Sequence, residues 1–401
     1  MQPDLDFVRA RFPGLSSDWA FMDNAGGSHV LADVAGRVRD FLLEVPVQHG
    51  ASYAASVEAR EKVAQAVAAL ARMINAARPD EVVVGSSTTF LLQQLARALA
   101  PEIAEGDEIL VTDVDHEANI GPWRALAQRH GAVLRTWRVD PESLELELDA
   151  LDRLLTERTK LVCITHCSNI LGTIMPVAEI ARRVHAAGAE LVVDGVAFAP
   201  HGRIDVQALG CDYYVYSLYK TFGPHQALLW GRHERLRELP SLNHRFIGRE
   251  QVPYKFLPGN INYELAWGCG AIPGYLADLA RHHGTDDADE VIAAHEEALS
   301  SRLLDYLGAR NDVRIIGRRE ADRALRVPTI SFTVRNHRSP DIVEVADRHE
   351  VAIRFGDFYA RDLIRNLGLV EQQGVVRASL VHYNTAAEVD RLIAALDEAL
   401  G

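Results

Sequence analysis

A lysine closes the segment DYYVYSLYK, just after an apolar run of the kind that forms a buried strand. At the end of an interior strand, desolvation lowers an ammonium pKa, which would free Lys220 as a nucleophile toward a carbonyl, the opening step of Schiff-base catalysis. Only four lysines occur among the 42 basic residues, and the other three suit this task less well. Lys62 falls on the polar side of a helical stretch, Lys160 precedes a strand in TERTK, and Lys255 sits in a Pro-flanked loop. Asp194 ends a second apolar run, ELVVD, where a carboxylate is costly unless a cation faces it. Capping a following helix would be the other use for such an aspartate, but Gly195 and VAFAP do not continue helically. The protonated ring nitrogen of pyridoxal phosphate is a cation of the right kind.

Other residues at strand ends agree with that chemistry. Gly85-Ser86-Ser87-Thr88-Thr89 follows EVVVG and opens a helix, so hydroxyls and free N–H groups converge where a phosphate could sit. The same pattern is also that of an ordinary helix N-cap. Asp115-His116-Glu117 follows EILVTD and offers an imidazole that could lie flat on an aromatic ring. Ser168-Asn169 follows LVCITH and offers an amide to a phenolic oxygen. Ser217 and Tyr219 flank Lys220 as further phosphate donors.

These positions require a particular scaffold. EVVVG, EILVTD, LVCITH, ELVVDG and DYYVYS alternate with helical stretches from about residue 80 to 235, which predicts a mostly parallel sheet covered on both faces. Ligands of such sheets bind beyond the carboxyl ends of the strands, where all of the named residues fall. Residues 56–77 read as a long amphipathic helix. After about residue 285 a helix leads to VRIIG, TISFTV, VAIR and VVRASL and then to a last helix, the pattern of a small α+β domain. The expected division is an N-terminal segment (1–20), a large cofactor-binding domain (21–284) and a small domain (285–401).

Composition narrows the partners. With 401 residues and 48% hydrophobic content the chain can bury a large core. A net charge of −14 argues against nucleic acid and anionic membrane surfaces, leaving small molecules. No apolar run approaches the ~20 residues of a membrane span, and the first residues lack a signal-peptide pattern, so a cytoplasmic location is expected. Cys163, Cys167, Cys211 and Cys269 have neither metal-ligand nor disulfide-framework spacing.

FMDNAGG, DHEANIGPW, THCSNILGTIMPV, VDGVAFAPH, YVYSLYKTFGPH and VRASLVHYNTAAEVDRL together resemble the class V aminotransferase and cysteine desulfurase group of fold-type I pyridoxal-phosphate enzymes. The likeness is greatest to the selenocysteine lyase and group II desulfurase branch and spans nearly the whole chain. It implies Lys220 as the Schiff-base lysine, Asp194 paired with the ring nitrogen, His116 stacked on the ring and Asn169 near its O3. Ser87, Thr88, Thr89, Ser217 and Tyr219 would surround the phosphate. It further implies a homodimer with sites at the subunit interface, where FLPGNIN supplies a cross-subunit phosphate contact through Asn260. Arg377 matches the arginine that grips the substrate α-carboxylate, Arg354 could make a second contact there, and Asn24, Gln48, His49 and Tyr359 are further substrate candidates.

Three departures qualify the resemblance. Tyr359 stands where desulfurases of this branch carry the loop cysteine that attacks substrate sulfur, and a phenol forms no persulfide. Cys269 is the only cysteine expected outside the sheet core. Ala197 replaces a glutamine that contacts O3, and Gln48-His49 replaces a histidine and an arginine. The resemblance therefore implies an enzyme that converts an amino acid through a carbanion at Cα, with transamination, β-elimination or decarboxylation, and epimerisation all open. A non-catalytic binding protein on the same fold is the reading from another class.

Overall fold

The computed structural model describes residues 2–401. A short strand β1 (Ala20–Phe21) precedes the helix Ala54–Met73 and the first strand of the main sheet, β2 (Val82–Gly85). The sheet continues with β3 (Glu108–Thr112), β4 (Val133–Trp137), β5 (Thr159–Thr165), β6 (Glu190–Asp194), β7 (Tyr213–Ser217) and β8 (Ala227–Gly231). Their spatial order is β2-β8-β7-β6-β5-β3-β4. The β3–β7 pairs are parallel, whereas β8 runs antiparallel to both neighbours.

Alternation within these strands supplies two cores. Val83, Ile109, Val111 and Val192 pack on one face, and Val82, Val84, Leu110, Leu191 and Val193 on the other. A sheet buried on both faces has to read as a continuous apolar run, because successive side chains point to opposite sides and both sides are dry.

The small unit holds β9 (Val313–Ile316), β10 (Thr329–Val334), β11 (Val351–Ala352), β12 (Arg354–Gly356) and β13 (Val375–Ser379). Four of them form an antiparallel sheet ordered β12-β13-β10-β9, while β11 pairs in parallel with β1. Ala20 and Met22 accordingly pack with Leu303, Ile330, Phe332 and Val389 in the small unit's core. A boundary at residue 21 is therefore crossed: the chain's beginning belongs partly to the small unit. The last helix (Ala386–Leu400) starts with a capping box, in which Thr385 accepts the Glu388 N–H and the Glu388 carboxylate accepts the Thr385 N–H. Among the described residues no helix is long and apolar enough to cross a membrane.

The parallel register aligns strand ends. Thr165 lies opposite Asp194, and Asp194 opposite Val215, two residues before Ser217. The carboxyl edge of β5, β6 and β7 thus carries three polar residues, Thr165 and Asp194 in register and Ser217 two positions further along β7.

Candidate active site

Behind that edge lies a cavity lined by Ser87, Thr88, Thr89, His116, Asn169, Asp194, Ser217, Tyr219 and Lys220, with Ala118, Thr165, Cys167, Val196 and Ala197 completing the wall. Residues from five separate segments meet there because each segment leaves the sheet at the same edge.

Lys220 ends a one-turn helix directly after β7. It retains some accessible surface because it lines the cavity, yet protein atoms crowd its ammonium. Burial lowers the pKa to about 8; Arg377 adds to the effect, and Asp194 and Asp23 oppose it. About half of the amine is then free at pH 8, against less than about 1% for an ordinary lysine. We expect the rate at which apoprotein captures its aldehyde cofactor to rise with pH to a midpoint near 8; a midpoint near 10 would contradict this environment.

Asp194 is buried, and burial pushes its carboxyl up to about 6, against the pull of the Val196 N–H and of Lys220. Oδ1 accepts the Val196 N–H at 2.9 Å. No ion pair holds it among the described residues, so its charge is available to a bound cation.

His116 is held by a bond from the Ala118 N–H to Nδ1 (3.0 Å), which leaves Nε2 as the protonated nitrogen. Burial, with Lys220 and Arg377 as lesser causes, lowers its pKa to about 4, so the ring is neutral near pH 7. The Tyr359 ring lies 5.1 Å away, tilted by 42°.

At the start of the helix Thr88–Leu99, Ser87 accepts the Phe90 N–H as N-cap. The cap and the cradle are therefore compatible, since the cap uses one lone pair and leaves the hydroxyl hydrogen free. Thr88 Oγ1 and Ser217 Oγ are 2.7 Å apart and present two hydroxyls to one point. Tyr219 stacks on His225 at the rim.

Arg377 is buried in β13, with Nη1 donating to the Asn169 carbonyl (3.1 Å) and Nη2 to Asp23 Oδ1 (3.3 Å). Arg354, half exposed on β12, forms an ion pair with Asp23 Oδ2 (2.5 Å). Asn169 donates its amide N–H to the Phe358 carbonyl (2.9 Å), and its buried Oδ1 has no partner. The Glu117 N–H bonds the Tyr359 carbonyl (2.8 Å), so the segment 357–360 straps across the mouth. Phe358 and Tyr359 both adopt positive φ (47° and 60°), a strained conformation for large L-residues.

Some candidates fall elsewhere. Asn24 commits its amide to the Ser379 and Phe21 carbonyls, Asn384 Oδ1 and the Tyr383 hydroxyl, which corrects its assignment as a substrate contact. Gln48, His49 and Asn260 form a separate patch outside the Lys220 cavity: Gln48 Oε1 accepts from Asn260 and Tyr263, and His49 stacks on Tyr263. Lys255 is fully buried rather than loop-exposed, and burial lowers it to about 8 as well. Two carbonyls, of Leu239 (2.6 Å) and Arg237 (3.1 Å), bind its ammonium, and it lines no part of the Lys220 cavity. All four cysteines are buried and free. Cys269 is not peripheral; the one at the cavity is Cys167, whose thiol donates to the Gly172 carbonyl (3.2 Å) and is raised by burial.

Sequence reading missed Asp23, Thr165 and Phe358. Asp23 alone left a signal, as an acid within the apolar FMDNAGG, but nothing local pairs it with Arg377, 354 residues away.

The model of the aminotransferase class-V family matches residues 20–392. The chain belongs to the class-V aminotransferase family. Among curated relatives, the aminotransferase-like protein FGM3 of Gibberella zeae is 41% identical over 99% of this chain and 98% of its own. The cysteine desulfurase-like protein ustD of Aspergillus flavus is 35% identical (98% and 90% covered), and a cysteine desulfurase of Serratia proteamaculans 32% (98% and 97%). The crystal structure of the cysteine desulfurase CsdA from Escherichia coli superposes with a TM-score of 0.87 at 26% identity, covering 99% of this chain and 98% of that one.

Class-V enzymes of this group depend on pyridoxal 5′-phosphate, and that cofactor belongs to this chain. The residues present fit it. A buried amine of lowered pKa, a carboxylate without a cation, two convergent hydroxyls and an unpartnered amide oxygen share one cavity. Lys220 would hold its aldehyde carbon, Asp194 its ring nitrogen, and Ser87, Thr88, Thr89, Ser217 and Tyr219 its phosphate.

Proposed function

We propose that the protein converts an α-amino acid, that Lys220 carries the cofactor and then moves the α-proton, and that no protein thiol takes part. Lys220 carries this reading: an amine with a pKa near 8 in a cavity that also holds Asp194. When bound, pyridoxal 5′-phosphate supplies an aldehyde carbon for the substrate amine and a ring that takes up the electron pair left at Cα.

The remaining work falls to the chain. Lys220, once replaced by the substrate amine, is free to take the proton from Cα, and its pKa near the working pH suits both removal and return. Asp194 keeps a negative charge in a dry site, where it stabilises a cation far more than it would in water. His116 is neutral and brings no competing positive charge. Arg377 offers a planar fork to the α-carboxylate, which orients the bond at Cα. In a homodimer, the assembly we propose, the patch of Gln48, His49 and Asn260 contributes to the partner subunit's site.

Delivery of the proton away from Cα gives transamination, the outcome we place first. Loss of a β-group instead gives a lyase, and return of the proton to the opposite face gives an epimerase. Single amino acids mixed with holoprotein, with products identified by mass, separate these outcomes: a keto acid with aminated cofactor, pyruvate with ammonia, or an inverted amino acid. Failure of every amino acid to react contradicts the proposal. The buried thiols support a further expectation, that a thiol-alkylating reagent leaves turnover and product unchanged in the folded holoprotein. Inactivation that tracks alkylation of one cysteine would place a thiol on the reaction path.

A further inference from the structure

We infer that Asp23 is a positioning residue that aims Arg377 at the substrate, an inference that rests on the reading of Arg377 as the α-carboxylate anchor. Asp23 is 8% exposed and follows β1, where its main chain bridges to Ser379 of β13. Its two carboxylate oxygens are divided between two guanidinium groups, Oδ1 to Arg377 and Oδ2 to Arg354.

The consequence appears in what is left of Arg377. Nη1 is committed to the Asn169 carbonyl and Nη2 gives one hydrogen to Asp23, while the Phe358 ring covers one guanidinium face with its centroid 3.7 Å from Cζ. Nε is buried and has no acceptor. A guanidinium presents parallel N–H pairs along its edges, and the edge that remains is the one Nε shares with the second hydrogen of Nη2. A carboxylate placed there accepts two bonds and satisfies the orphaned Nε, whose isolation is otherwise costly.

Charge points the same way. Arg354, Asp23 and Arg377 sum to one positive charge, which one α-carboxylate neutralises. Without Asp23 the buried Arg377 would face the half-exposed Arg354 with no carboxylate between them, and it would lose the contact that fixes its plane. Arg354 thus acts through Asp23, and β12 is tied to the site by that bridge.

The test uses holoprotein, with binding read from the change in the cofactor's visible band. L-Alanine is the probe, because it carries an α-amine and an α-carboxylate and little else, and ethylamine is the control without a carboxylate. Asp23→Asn is expected to weaken L-alanine binding about tenfold or more and to leave ethylamine unchanged. Equal weakening of both ligands, no weakening, or tighter L-alanine binding overturns the proposal. Arg354→Gln, at a half-exposed position that folding tolerates, loosens Asp23 without removing it and serves if Asp23→Asn does not fold. It is expected to weaken L-alanine about threefold, and no change overturns the proposal by itself. Arg377→Lys tests the underlying reading separately: unaltered L-alanine binding, or a wild-type holoprotein blind to L-alanine, removes the anchor on which the role of Asp23 depends.

Discussion

Lys220→Ala is expected to remove turnover and the covalent visible band together, with turnover falling by about 10⁴-fold or more. One side chain serves both as the group that holds the cofactor and as the base at Cα, so its loss strikes two steps that no neighbour can take over. His116 is neutral but bonded through Nδ1, Asp194 forms no Schiff base and is assigned to the ring nitrogen, and Lys255 lines no part of the cavity. Lys220→Arg is expected to fail equally, because a guanidinium retains its proton at any working pH. Absorbance spectra and steady-state rates of the two variants check this. Residual turnover within about tenfold of the parent would require a different base.

Asp194→Asn carries the second large effect, and its sign differs between function and stability. In the folded apoprotein the carboxyl titrates near 6, above its ordinary value of 3.8, because burial disfavours the charged form. A raised carboxylate pKa favours folding below the unfolded value, and that advantage is lost as pH rises through about 4 to 6. At pH 7 the ionised Asp194 therefore costs the apoprotein stability, at most about 2–3 kcal/mol at about 1.4 kcal/mol per unit. Asn removes that cost and can still accept the Val196 N–H. The apoprotein melting temperature should rise, while turnover should fall by about 10²-fold or more because the ring nitrogen loses its counter-charge. A destabilised apoprotein, or undiminished turnover, would contradict the assignment. Buried charges retained against stability are a mark of functional sites.

The residues that chemistry demands were readable because each follows its own strand. Parallel strands buried on both faces must be apolar throughout, so a polar residue at the end of each run stands out, as Asp194 and Lys220 do. β4 was not flagged because it is the sheet edge: VLRTW begins exposed and carries Arg135 and Thr136, which blur any apolar run. β8 was hidden by its neighbour, since ALLWG follows the lysine loop within a few residues and pairs antiparallel against the pattern of the rest.

What stayed out of reach depends on long-range contact. Asn24 looks like a substrate-facing amide until Ser379, Tyr383 and Asn384, some 355 to 360 residues onward, are brought to it. Lys255 looks like a loop lysine until the Arg237 and Leu239 carbonyls close on it. Phe358 gains its role only where a strained turn lays it on Arg377. The Asn24 contacts are set by packing between units and the other two by how a loop folds back, and local residue patterns encode neither.

Reduction of the holoprotein with borohydride, followed by peptide mass mapping, tests the central claim most directly, because reduction makes a lysine–cofactor bond permanent. The account predicts the added cofactor mass on the peptide that contains Lys220, and on no other. Cofactor mass on the Lys255 peptide, or none on any lysine, would contradict it.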